Sequence, residues 1–273
     1  MSTLCLNCDF VINDSYQFCP GCGQRNRIHR LSFHEIMHEA MHYFTHADKS
    51  IFSLLKQLIL KTGTVAREFV LGKRKKYFSP LNFYFLVATI FVLTITFISS
   101  SQPNSSVLDK HPEVNYITDI AEKEKVIKIY KRQEVAVNFI NKYSNIVAMV
   151  ALPLICFIYW LFYRKGRYNY AEHLAACMYM AGLTNLVYAV IFIPVSLLIR
   201  PFHSNSSLTI LLPFTIFQII YNSVFYYHFI NGKTKTSAGK AFLVSIFAIL
   251  FWMALSSLLV GMYIRNGWGG LLL

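Results

Sequence analysis

Charged side chains are scarce in this sequence. They make up 14% of 273 residues, against roughly 25% in an ordinary soluble domain. Acidic ones are scarcer still, 13 Asp and Glu against 26 Lys and Arg, for a net charge of +13. So little charge excludes a freely soluble globular protein, because an apolar share of 55% cannot be covered by the polar surface that remains. The same apolar share and a mean hydropathy of +0.43 exclude intrinsic disorder. Six cysteines over this length do not make a disulfide scaffold. Met1–Phe10 has no basic stretch followed by an apolar core, so no signal peptide is expected and the first span directs its own insertion. No internal repeat is visible, which leaves an inverted-repeat transporter without direct support.

What is present is a set of long oily runs. A helix needs about 20 largely apolar residues to cross the hydrocarbon core of a bilayer. Five windows meet this: Leu81–Ser99, Ile146–Phe162, Leu174–Ile199, Leu208–Ile230 and Ala241–Ile264, none with an Asp, Glu, Lys or Arg. The expected fold is therefore an all-α membrane protein of about five transmembrane helices. A small cytoplasmic zinc ribbon (residues 1–28) and amphipathic helices (29–80) precede the helical membrane domain (81–273). The external segment 100–145 opens with turn-forming residues and becomes helical from about Thr118, able to continue into the second span. Lys and Arg concentrate in the loops before the first span, between the second and third, and between the fourth and fifth, so the N-terminus is expected inside and the C-terminus outside.

The strongest local motif is Cys5-Leu-Asn-Cys8, ten residues, then Cys19-Pro-Gly-Cys22-Gly23. Two CxxC turns supply four thiolates at tetrahedral corners, the arrangement structural zinc prefers. Gly21 and Gly23 allow positive φ in the second turn, and Pro20 stiffens it. A 25-residue fragment has no core of its own, so one Zn²⁺ would supply its folding energy. Four protein ligands close the site, which assigns it to structure or recognition and not to catalysis. Cys156 and Cys177, inside apolar runs, read as small buried hydrophobes.

Ser32-Phe-His-Glu35 matches a capping box, and His34, His38, His42 and His46 follow at four-residue spacing. His34-Glu35-x-x-His38 has the zincin pattern, in which two histidines hold zinc and the glutamate is general base. The four imidazoles drift across only about 120° of a helix, opposite Ile36, Met37, Ala40 and Phe44. That pattern describes the polar face of an amphipathic helix, open to a second metal or to pH sensing, with no third ligand or groove for a protease. Ile51, Leu54, Leu55, Leu58 and Ile59 mark a further amphipathic helix, expected to lie along the inner membrane surface. Lys73, Arg74, Lys75 and Lys76 sit next to the first span, where anionic lipid explains them before nucleic acid does.

Glu172 and His173 begin the third span and His228 lies near the end of the fourth. Ionisable groups at such places are functional candidates. Together with Arg67 or Glu68 they are expected to form one cytoplasm-facing polar pocket, the competing reading being plain helix-to-helix hydrogen bonding.

The run Cys19-Pro-Gly-Cys22-Gly23-Gln24, Arg30-Leu31-Ser32, Arg67-Glu68-Phe69 … Gly72-Lys73-Arg74 … Tyr77 … Pro80 and Tyr170-Ala171-Glu172-His173-Leu174 resembles a bacterial family of polytopic membrane proteins of unknown function with an N-terminal zinc ribbon. Thr62 departs from it, since the family often has proline before Gly63. The resemblance implies a ribbon on a multi-pass inner-membrane domain and brings no reaction. Three functions compete. The first is a non-enzymatic membrane adaptor or regulator whose ribbon meets a cytoplasmic protein partner. The second is a small-molecule or lipid carrier using the polar pocket, and the third is a metalloprotease. The adaptor leads, with the bilayer as its other partner and oligomerisation left open.

Overall fold

The computed structural model describes residues 2–13, 15–26, 30–37, 50–100, 111–199 and 206–267. It has the fold of an all-α membrane protein with a two-stranded N-terminal ribbon. Among the described residues, five helices are long and apolar enough to cross a membrane: Pro80–Ile98, Ile146–Tyr163, Tyr170–Ile199, Thr209–Phe229 and Lys235–Asn266. The five expected windows coincide with them to within a few residues, because uninterrupted apolar runs without charge leave the backbone no other way to satisfy its hydrogen bonds in lipid.

In the ribbon, β1 (Ser2–Leu4) pairs antiparallel with β2 (Val11–Asn13), Thr3 opposite Ile12 and Leu4 opposite Val11. Ile12, Cys5 and Cys19 form its small core. Helix α1 is Ser50–Leu60 and α2 is Gly63–Val70, joined through Lys61 and Thr62, which holds φ 45°. The first span is α3 (Pro80–Ser100), with proline in the first turn, where its missing N–H costs nothing. A 3₁₀ turn, Pro112–Tyr116, leads into α4 (Ile120–Lys142), whose N-cap Asp119 accepts from the Ala121 N–H. The helix expected from about Thr118 is thus present, and it stops at Tyr143 instead of running on into α5 (Ser144–Tyr163).

Helix α6 (Tyr170–Val187) passes through a π-helical turn, Tyr188–Phe192, into α7 (Ile193–Ile199). The π turn stands just before Pro194, whose ring cannot continue the regular ladder. The fourth span is α8 (Ser206–Phe229) and the fifth is α9 (Lys235–Asn266).

Two compact units emerge. Residues 1–88 and 152–249 form the first, and residues 89–151 and 250–273 the second. In the second, the Arg132 guanidinium donates to the carbonyls of Ile264 and Arg265, satisfying the free end of α9. The first holds the main core, in which Val65, Ala66 and Phe69 of α2, Phe83 of α3, Ala175 and Tyr179 of α6, and Phe225 and Phe229 of α8 are all sealed. Leu54 and Leu58 of α1 belong to this core, while Phe52, Ile59 and Leu60 face outward at 81%, 64% and 70% exposure. The apolar stripe expected to lie on the membrane surface is therefore split. Its centre packs on protein, and only its flank is free.

Candidate functional site

The two cysteine turns have the same backbone design. The Cys5 carbonyl accepts from the Asp9 N–H and the Cys5 N–H donates to Phe10; the Cys19 carbonyl accepts from Gly23 and the Cys19 N–H donates to Gln24. The fifth position of each turn is left-handed, Asp9 at φ 60° and Gly23 at φ 68°. Gly23 does what the sequence expects of it. Gly21 does not adopt positive φ; an added Cβ there would stand 3.3 Å from the Phe10 ring.

These turns bring Cys5, Cys8, Cys19 and Cys22 together, with all four sulfurs within 4.8 Å of one another. Cys5 Sγ is 3.6 Å from Cys22 Sγ, and Cys8 Sγ is 3.6 Å from Cys19 Sγ. Tetrahedral thiolates at a metal–sulfur bond of about 2.3 Å would stand about 3.8 Å apart. The donor set and its spacing therefore fit a tetrahedral four-sulfur metal centre.

The first cysteine turn also anchors the ribbon. Asn7, between its two cysteines, accepts from the Lys76 N–H at 3.0 Å. Leu6 covers Gly72, where φ is +114° and a Cβ would come within 2.9 Å of the leucine. Gln24, only 3% exposed, accepts with its side-chain oxygen from the N–H groups of Arg74 at 3.1 Å and Lys75 at 3.3 Å. Three consecutive backbone donors of the basic junction are thus taken up by the ribbon. Sequence reasoning missed Asn7 and Gln24; nothing in composition or spacing marks a polar side chain as a partner for another segment's backbone.

The basic cluster itself is partly neutralised from within. Glu68 Oε2 lies 2.7 Å from Lys76 Nζ and 3.9 Å from Lys73 Nζ, and accepts from the Tyr77 hydroxyl at 2.7 Å. Arg74 stands 3.9 Å from Glu35. Partial burial would push the Glu68 carboxyl up, but hydrogen bonds from Lys76 and Tyr77 and the nearby lysine charges hold it below the ordinary carboxylate value. The Tyr77 phenol is driven up by its burial and by that carboxylate.

The expected polar pocket resolves into neighbouring groups with different partners. Glu172, 3% exposed, is the second half of a reciprocal capping box: its N–H donates to Asn169 Oδ1 and its carboxylate accepts from the Asn169 N–H. Asn169 and Glu172 stand at capping-box spacing, a signal that the reading of Glu172 as a pocket residue passed over. The same carboxylate accepts two hydrogen bonds of 2.9 Å from Arg30, whose guanidinium also reaches the Arg167 carbonyl. This pair raises the already high pKa of Arg30. Asn169 donates onward to the Leu31 carbonyl, so residues 30–31 are strapped across the start of α6.

His173 is fully buried and ringed by Tyr163, Tyr168, Tyr226 and Phe229, at centroid distances of 5.5–6.4 Å. Its Nδ1 is 3.2 Å from the Tyr226 hydroxyl, which also meets Cys177 Sγ at 3.3 Å. Its Nε2, and the Tyr163 hydroxyl, have no hydrogen-bond partner among the described residues. His228 turns instead to Thr62, with Nδ1 against Oγ1. Arg67 donates to the His228 carbonyl at 3.2 Å and to Asn231 Oδ1 at 2.5 Å, closing the end of α8. The Tyr168 phenol is pushed up by burial, pulled back by Arg167 and Arg67, and raised again by Glu172.

Residues 33–37 form a helical turn with the expected capping box, the Glu35 N–H donating to Ser32 Oγ and the Ser32 N–H to Glu35. His34 is exposed there. His38, His42 and His46, and with them the second-metal and pH-sensing readings, lie outside the described residues.

A family model described as a protein of unknown function (DUF3667) matches residues 48–92. No curated protein and no solved structure matches. Within that stretch Gly63 meets the Phe225 carbonyl, Arg67 the His228 carbonyl, Glu68 the Tyr77 hydroxyl and Gly72 the Leu6 side chain. This chain is similar, over that stretch, to a family whose activity is not described.

Proposed function

We propose that this protein is a non-enzymatic membrane adaptor whose N-terminal ribbon, clamped by one Zn²⁺ on Cys5, Cys8, Cys19 and Cys22, engages a protein partner at the cytoplasmic face of a bacterial inner membrane. The observation that carries the reading is a closed four-sulfur cluster on a ribbon fastened to the start of the first span through Asn7 and Gln24. Zinc there would hold the two turns together; the chain's own residues transmit that order to the junction. The ribbon leaves Leu4, Val11, Phe10 and Phe18 each about half or more exposed, apolar surface suited to a partner. Lysine and arginine in alternate short loops support the inside placement of the ribbon.

Metal analysis of the purified chain should find about one zinc per chain, lost in Cys19→Ser. Chelation should speed amide exchange at residues 74–76 and leave residues 170–180 protected. Crosslinking in native membranes should capture a protein through the ribbon, with loss of that product in Val11→Asp and retention in His173→Ala. Capture that ignores both Val11→Asp and Cys19→Ser would refute the adaptor reading. A second reading, a carrier for a small polar molecule or lipid headgroup, draws on the unpartnered His173 Nε2 and Tyr163 hydroxyl in their aromatic ring. It would be favoured if His173→Ala abolished a function that Val11→Asp spares.

A further inference from the structure

The two halves of the Arg30–Glu172 pair stand in different surroundings. The Glu172 side chain is 4% exposed and the Arg30 side chain 58%. The carboxylate is the buried half, and the guanidinium reaches it from solution. What fixes the carboxylate belongs to the start of α6 itself. The Asn169 N–H donates to Glu172 Oε2 at 2.6 Å, and the Glu172 N–H donates back to Asn169 Oδ1 at 2.8 Å. This capping box closes within the first turn and does not need Arg30. Against it Arg30 lies side-on: Nε donates to Oε1 and Nη2 to Oε2, each at 2.9 Å, and Nη2 also donates to the Arg167 carbonyl. Two parallel bonds to one carboxylate suit the planar fork of a guanidinium and not the point charge of an ammonium.

A buried carboxylate needs a cation, because a missing partner leaves its charge uncompensated. Glu172 is the one Asp or Glu among residues 143–273. Arg164, Lys165 and Arg167 stand exposed on the loop just before it. Among the described residues none of these three forms an ion pair with it, and the cation comes from Arg30. The backbone beside Arg30 is held separately, with Leu31 1% exposed and its carbonyl accepting from Asn169 Nδ2 at 3.1 Å. The Arg30 side chain can therefore swing out by rotation about its own bonds while the strap stays seated. We propose that Glu172, Asn169 and the Arg167 carbonyl form a recognition site for a guanidinium group, with Arg30 as its tethered occupant, displaced by a guanidinium-bearing ligand from solution. The side on which Arg30 is exposed is the open side, so the ligand's tail has room beyond the bound group. The site is independent of what the ribbon binds.

Thermal unfolding of the full chain in detergent tests this with methylguanidinium, n-butylguanidinium and methylammonium, each compared with sodium chloride at equal ionic strength. In Arg30→Ala the site is vacant, and both guanidinium ions should raise Tm saturably. Arg30→Lys keeps a charge near the carboxylate and supplies the same measurement if the alanine variant does not fold. Adding Glu172→Gln to either variant should weaken the response at least about tenfold, the loss of one charge-assisted hydrogen bond. The wild type should need at least about tenfold more ligand, because a tethered competitor already fills the site. No saturable rise in either variant would overturn the proposal, as would a rise that survives Glu172→Gln, an equal response to methylammonium, or a wild type responding at the same concentration. So would acceptance of methylguanidinium with exclusion of n-butylguanidinium, the behaviour of a closed cavity left by a deleted side chain. Loss of a ribbon partner would change none of these outcomes, so the two readings fail separately.

Discussion

Replacing Gly63 by alanine probes the contact that seats α2 on α8. A Cβ on Gly63 would stand 1.8 Å from the Phe225 carbonyl oxygen and 2.8 Å from the Phe229 nitrogen. Both obstacles are backbone, so no side-chain rotation can relieve them, and the helices must separate by about 1.5 Å to restore ordinary contact. Alanine normally gains up to about 1 kcal/mol over glycine in a helix. Here the forced separation loosens Val65, Ala66 and Phe69, all at most 1% exposed. Overpacking of close-fitted cores typically costs about 1–3 kcal/mol, and with two rigid partners the net loss should reach about 3 kcal/mol. For a chain of this size that is a fall of about 6–12 °C in Tm, read by thermal unfolding in detergent. Gly239→Ala, where nothing lies within 4 Å of the added carbon, is the control and should leave Tm unchanged or slightly higher. A Gly63→Ala protein as stable as the wild type would refute the close-crossing argument.

Two further outcomes follow from the ion pairs. Glu172→Ala removes both the helix cap and the Arg30 partner and should destabilise by about 2–3 kcal/mol. Arg30→Ala should do less, since Asn169 still serves the carboxylate; equal losses in both, with no coupling in the double variant, would count against the strap. Glu68 is held below its ordinary carboxyl value, so its contribution is complete above the unfolded value of about 4.3 and is lost as pH falls through the lower folded value. Tm measured from pH 6 down to pH 3 should therefore drop steeply in the wild type and less steeply in Glu68→Gln. Parallel curves would exclude the Lys76–Glu68–Tyr77 group as a source of the acid sensitivity.

Much of this protein is local in origin and so is written along the chain. The spans are readable because a helix of about 20 residues without charge has one physical solution in a bilayer. The cysteine turns are readable because two residues of spacing already aim both sulfurs at one point, and the Ser32–Glu35 cap because its partners are three residues apart. The polar groups are another matter. Glu172 was legible as an ionisable residue at the start of a span, but its partner Arg30 lies 142 positions away, and His228 chose Thr62 over His173.

Nothing local in sequence encodes such long-range choices, which depend on where α2 sits against α6 and α8. The same holds for Asn7 and Gln24, ordinary polar residues until the ribbon meets the junction. It holds for α1 as well, whose stripe predicts an apolar contact without saying whether lipid or protein makes it. Sequence periodicity determined which surfaces must leave water; only tertiary packing decided which of them meet one another, because burial is enforced residue by residue while partners are set by the crossing of distant helices.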